Sequence, residues 1–145
     1  MFSPLLKNII RDNASDLQPN FSSRSYSKMT NIKQVKHDMQ NDPENWIIEF
    51  MDFVDDFRYY QNEAMIKEPF ELSDEKIDAI LASAIEYLCD EIGMEPPEWV
   101  WDVPPCKDPW FVSGMESLKA ITIVESPVYF RRRKIFVLEN FLSRA

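Results

Sequence analysis

Glycine is nearly missing from this chain: Gly93 and Gly114 are its two glycines in 145 residues. Phosphate-binding loops need several glycines so that backbone amides can close on an anion, and this scarcity excludes a P-loop or a dinucleotide fingerprint. Histidine occurs once, at His37, and cysteine twice, at Cys89 and Cys106, with no CxxC spacing. Such a set lacks the spacing and the fourth ligand of a structural zinc site. A triad of Cys106 or Ser113 with His37 would place its base in the N-terminal stretch, away from any firmly held nucleophile. Asp52, Asp55 and Asp56 could bind Mg²⁺, but on an amphipathic helix they read as a solvated face. The expectation is therefore no enzyme, no metal and no cofactor.

Long apolar runs are lacking too. Ile135 to Leu138, the longest in the tail, is far below the roughly 18 residues that cross a bilayer, so no membrane association is expected. "MFSPLLKNII" carries one lysine and no small-residue cleavage site behind it, which speaks against a secretory signal. Two cysteines without an export signal read as free thiols in a reducing cytoplasm.

Positive charge is scarce in the middle of the chain. Residues 41–102 hold three Lys/Arg against eighteen Asp/Glu, while residues 1–40 and 125–145 are each net +3, and the whole is net −9. This asymmetry bears on partners and steering rather than on fold.

What is present is a globular composition, 45% hydrophobic and 13% aromatic, in a length that suits one core. Residues 1–36 show no sustained period and read as a flexible leader, within which Met29 is a candidate translation start. Residues 37–145 read as a single mainly α domain. A first helix follows a cap at Asn41 or Asp42 and Pro43, with Trp46, Ile47, Phe50, Phe53, Val54, Phe57 and Tyr60 on one stripe. A second starts at a Ser73 cap, carries Ile77, Ile80, Leu81, Ala84, Ile85, Leu88 and Ile92 inward, and stops at Gly93. The two are expected to pack as an antiparallel pair. "MEPPEWVWDVPPCKDPWF" holds five prolines and reads as an irregular segment that is neither helix nor central strand. Trp99, Trp101 and Trp110 of this aromatic segment, which ends at Phe111, are expected over the helix pair. "ESLKAITIVE" is read as a short helix or strand, and Leu138, Phe141, Leu142 and Ala145 as a short docked helical tail.

"ESPVYFRRRKIFVLENFLSRA" sets Arg131, Arg132 and Arg133 among aromatics. In an extended run, alternate arginines point oppositely, so at least one is expected to turn inward onto carbonyls or a carboxylate, with Glu125, Asp102 and Asp108 as candidate acceptors. The acidic balance opposes a polyanion-binding face.

This tail, together with "PPEWVWDVPPCKDPWF", resembles a family of small bacterial proteins of unassigned activity whose C-terminus reads "VESPxxFRRRxIFVxxxxLSRA". Glu125, Ser126, Pro127, Phe130, Arg131, Arg132, Arg133, Ile135, Phe136, Leu142, Ser143, Arg144 and Ala145 carry the resemblance. Some members lie beside nucleotidyltransferase-like toxin genes, and others follow a helix-turn-helix domain. Residues 1–73 here show no basic recognition helix. The resemblance implies an antitoxin-like protein that binds and neutralises a basic, neighbour-encoded enzyme. Glu125, Arg131, Arg132, Arg133 and Arg144 would serve as partner-binding or structural residues. The alternative is a transcriptional or nucleic-acid-associated regulator that uses Arg131 to Arg133.

Overall fold

The computed structural model describes residues 29–143, and its architecture is mainly α, as the periodicities predict. Five α-helices occur in the order α1 (Ile32–Asn41), α2 (Trp46–Tyr60), α3 (Glu75–Glu91), α4 (Lys119–Glu125) and α5 (Val128–Arg131). Two short strands, β1 (Trp110–Phe111) and β2 (Ile135–Phe136), pair in parallel.

The α1 helix lies where the sequence reading ran a leader to residue 36. Ile32, Val35, Lys36 and Met39 are buried on one stripe at i, i+3, i+4 and i+7, and Asn31 caps the helix by accepting the Gln34 amide at 2.9 Å. Scarce apolar residues hid this period, because Lys36 holds a core position. Its ammonium is 2.7 Å from the Asp78 carboxylate, and the two side chains are each 6% exposed. It also donates to Ser73 Oγ at 2.8 Å and to the Glu71 carbonyl. A buried ammonium needs such a full set of acceptors to offset desolvation. Residues 1–28 of the expected leader lie outside the described residues.

Pro43 opens a 3-10 turn, Pro43–Asn45, ahead of α2 rather than α2 itself, and Asp42 closes α1. In α3 the cap moves one residue from the expected Ser73 to Asp74, whose Oδ1 accepts the Ile77 amide at 3.2 Å. Asp78 Oδ2 accepts the amides of Ser73 and Asp74 at 2.9 and 3.1 Å, so two otherwise orphaned donors meet one buried carboxylate. Gly93 ends this helix with φ +70°, as its position predicts.

Helix α3 is central: α1, α2, α5 and the 3-10 helix Glu98–Asp102 all contact it. Residues 78–86 are buried without interruption. Besides the expected apolar stripe, a second one of Ala79, Ala82, Ser83 and Glu86 is covered, so the helix is enclosed all round. Asp56 on α2, expected in solvent, is 3% exposed.

The C-terminal tail departs from expectation in its elements. "KAITIVE" forms α4, the helix of the two expected alternatives, whereas residues 137–143 dock as turns rather than as a helix. Leu142 is buried, and Phe141 packs against Phe50 and Phe130 with ring centres 5.9 and 5.8 Å away. Arg58 of α2 fastens this end. It forks onto Glu91 with two bonds of 2.9 Å and donates to the Leu142 carbonyl. Among the described residues no helix is long and apolar enough to cross a membrane.

Cys89 and Cys106 are both free and buried. Burial, with Glu63 and Glu86 nearby, pushes the Cys89 thiol from 9.0 up to about 11. The folded chain therefore holds this proton more tightly than the unfolded chain. Its contribution to stability is intact below pH 9 and is lost as pH rises through 11, a fall of roughly 2–3 kcal/mol. Urea midpoints measured between pH 8 and 11 should drop accordingly, with a shallower drop in Cys89→Ala. An unchanged slope in the variant would contradict this.

Candidate functional site

Glu86 faces the tail from the second stripe of α3 and is 2% exposed. A carboxylate so enclosed is costly unless cations and donors surround it. Arg133 supplies most of them while itself only 6% exposed. Its Nη1 donates to Glu86 Oε2 and, at 3.3 Å, to Ser83 Oγ; its Nη2 donates to the Val100 carbonyl at 2.8 Å and its Nε to the Val103 carbonyl at 3.2 Å. Arg132 Nη2 donates to the second oxygen, Glu86 Oε1. One guanidinium thus joins three stretches of chain: the tail, α3, and the end of the 3-10 helix Glu98–Asp102. The planar fork with five donors is what makes this geometry available to arginine.

Local structure aims the three arginines. Pro127 fixes the entry to α5, Phe130 is wholly buried as an anchor, and Arg131 is the last residue of α5, followed by a turn through Lys134. The arginines therefore fan around a helical turn instead of alternating along an extended strand. Arg131 and Arg132 are exposed and Arg133 goes inward. Lys134 adopts φ +63°, a left-handed conformation that costs a non-glycine residue about 1–2 kcal/mol. Two bonds brace that turn: Cys106 N donates to the Arg133 carbonyl at 3.0 Å, and Trp110 N to the Lys134 carbonyl at 2.8 Å.

Outside this clamp, the Arg132 guanidinium lies 5.9 Å from the ring centres of both Trp101 and Tyr129. Trp101 is 58% exposed, so the tryptophan expected in the core is displayed at the surface. Hydrogen bonding to Asp90 pushes the Tyr129 hydroxyl above its ordinary pKa. The result is a Trp–Arg–Tyr platform, made of the three residue types that dominate protein-interface hot spots.

The remaining expected site residues separate. Glu125 does not meet the arginines; its Oε1 accepts the Glu139 amide at 3.1 Å. Neighbouring Ser126 donates to the Ile135 carbonyl at 2.9 Å and accepts the Val137 amide at 3.3 Å, fastening β2. Asp102 and Asp108 are exposed and take no part in the clamp; Glu86 is the acceptor instead. Trp99 is half-buried and donates to the Ile66 carbonyl at 2.9 Å. Trp110 lies 5.8 Å from Trp46, and Phe111 stacks on Phe136 at 5.1 Å across the strand pair. Arg144 lies outside the described residues. His37 is exposed on α1 beside Asn41, its Nε2 2.9 Å from the amide. Glu86, Ser83 and Arg58 escaped the sequence reading. Ala79, Ala82, Ser83 and Glu86 at i, i+3, i+4 and i+7 were the signal for the first two, a second stripe of small residues ending in an acid.

Compared with known proteins, the chain matches no family model, no curated protein and no solved structure.

Arg133→Lys keeps the charge but cannot reach four acceptors at once. It should cost roughly 2–4 kcal/mol in urea unfolding, whereas Arg131→Lys should cost less than about 0.5 kcal/mol. Equal costs would refute an internal role for Arg133.

Proposed function

We propose that the chain is an acidic protein-interaction module that binds and neutralises a basic partner enzyme, in the manner of an antitoxin. The observation that carries this reading is the division of charge. Lys36, Arg132 and Arg133 are engaged with Asp78 and Glu86, while Glu63, Glu71, Glu75, Asp90, Glu95 and Glu98 face solvent. A nucleotide- or RNA-handling enzyme presents a cationic cleft, and an outward acidic surface is complementary to it.

Two further features support a protein recipient. The Trp101–Arg132–Tyr129 platform offers large rigid side chains at little entropic cost. Ile121, Ile123, Val124 and Val128, on α4 and α5, leave 44–76% of their surface exposed, and exposed apolar patches mark interaction sites.

A regulator holding nucleic acid through Arg131 to Arg133 is the less favoured reading. Phosphate contacts need guanidinium groups in solvent, and Arg133 is enclosed with Arg132 shared by Glu86.

Co-expression with the product of the adjacent gene tests the proposal. The expected result is relief of that product's growth arrest and a purified complex whose affinity falls about tenfold or more between low and high salt. Absence of both a complex and relief overturns it. A gel shift with a steep salt slope, lost in Arg131→Ala, would favour the regulator.

A further inference from the structure

Helix α4 is built inside out. Thr122 is the one buried residue of Lys119–Glu125, and its hydroxyl donates to the Lys119 carbonyl at 2.9 Å. With 3.6 residues per turn, an inward Thr122 turns Ala120 and Val124 outward and sets Ile121 and Ile123 on the flanks. The exposures follow that placement: 76% for Val124, 44% for Ile121 and 49% for Ile123. A helix this short is not stable alone in water, and consecutive β-branched residues lower its propensity further. Packing has to hold it, yet the face that packs carries a hydroxyl and the apolar face is bare. Such a ridge is one half of a contact.

The other half adjoins it. Trp46, Ile47, Val112, Phe136, Leu138 and Phe141 line a groove of about 500 Å³, and Thr122 itself is part of the lining. Ridge and groove therefore share a residue and lie side by side. A twofold axis beside such a pair seats each copy's ridge in the other copy's groove, the self-complementary arrangement of an isologous dimer. Charge selects the same occupant. None of the residues that line the groove is charged. At the start of the ridge Glu116 and Lys119 pair with each other at 3.3 Å, and at its end Glu125 accepts the Glu139 amide. A basic enzyme finds no carboxylate in this groove, whereas a chain of net charge −9 can approach its like only where its own charge is absent.

We propose that the chain forms a twofold dimer in which Val124, flanked by Ile121 and Ile123, enters the groove of a second copy lined by Trp46, Phe136 and Phe141. The eleven residues of the groove and the four of the ridge fall short of the roughly 20–30 a side of a standard interface, so the pair belongs to the weak, reversible class, with a dissociation constant on the order of 10–100 µM. The dimer gives the apolar flank of α4 its recipient and leaves the outward carboxylates to a basic enzyme. It stands whether or not that enzyme exists.

Sedimentation of the full chain from about 1 µM to about 1 mM tests this. The mass should rise from monomer to dimer, and the dissociation constant should fall about threefold or more at high salt, where repulsion between two acidic copies is screened. That salt response is opposite to the one expected for a complex with a basic enzyme. Val124→Glu, at the most exposed ridge position, should raise the dissociation constant about tenfold or more, while its thermal midpoint at monomer concentrations stays within about 3 °C of the parent. Mixing Val124→Cys chains with Asn140→Cys chains under diamide should join the two, because Asn140 lines the groove and both native thiols are buried. A chain that stays monomeric to about 1 mM overturns the proposal, as does a dimer that weakens with salt or persists in Val124→Glu. A dimer that yields no mixed disulfide also overturns it, since the ridge is then seated elsewhere. None of these readouts needs the enzyme, so their failure is distinct from failure of the antitoxin-like reading.

Discussion

A carboxylate taken out of water and held between helices is unstable unless its charge is met on more than one side, and Glu86 is placed in that situation by α3. Val100, Val103, Arg132 and Arg133 are arranged around it. The 3-10 helix Glu98–Asp102 and Val103 bring carbonyls to the same guanidinium that neutralises Glu86. The turn after α5 accepts a left-handed lysine so that Arg133 faces inward. Pairing of β1 with β2 holds that turn against the proline-rich segment. Arg58 repeats the logic from the opposite direction, with a guanidinium on a helix reaching out to Glu91 and to the Leu142 carbonyl of the tail. The tail is therefore pinned by the Arg133–Glu86 ion pair, by the Arg58 hydrogen bond to the Leu142 carbonyl, and by Phe130, Phe141 and Leu142.

The helices were legible in the sequence because their signals are local. The stripe from Trp46 to Tyr60 and the one from Ile77 to Leu88 repeat at the helical period, and Gly93 sits where a left-handed terminus is needed. Helix α1 was not legible, because one of its four inward positions is Lys36, and a lysine reads as solvent unless its distant partner Asp78 is known. The inward turn of one arginine followed from the sequence, but its partner did not. The expected acceptors Glu125, Asp108 and Asp102 lie 8, 25 and 31 residues before Arg133, while Glu86 stands 47 residues from it. Propensity and spacing carry no information across that separation. The fold supplies it, by enclosing α3 on a face of small residues that a single-stripe reading leaves in water. Trp101 was misplaced for a related reason, since its ring covers a guanidinium instead of aliphatic core.

The clamp also explains the character of the C-terminal motif. Ser126 satisfies β2, Pro127 starts α5, Phe130 and Leu142 fill the core, and Arg133 neutralises Glu86, so most of the residues that make the tail distinctive have internal work. What remains outside is an acidic surface, the Trp101–Arg132–Tyr129 platform and the apolar flank of α4 and α5. The proposed function rests on those outward features rather than on the arginine triplet as a whole.

A double-mutant cycle on Glu86→Leu and Arg133→Met measures the central interaction most directly. Each single change leaves a buried ionic group without its counterpart and should cost about 3–5 kcal/mol, while the double variant should cost clearly less than the sum, with a coupling of at least about 2 kcal/mol. Costs that add to within about 0.5 kcal/mol would show that the tail is held to α3 by something other than this ion pair.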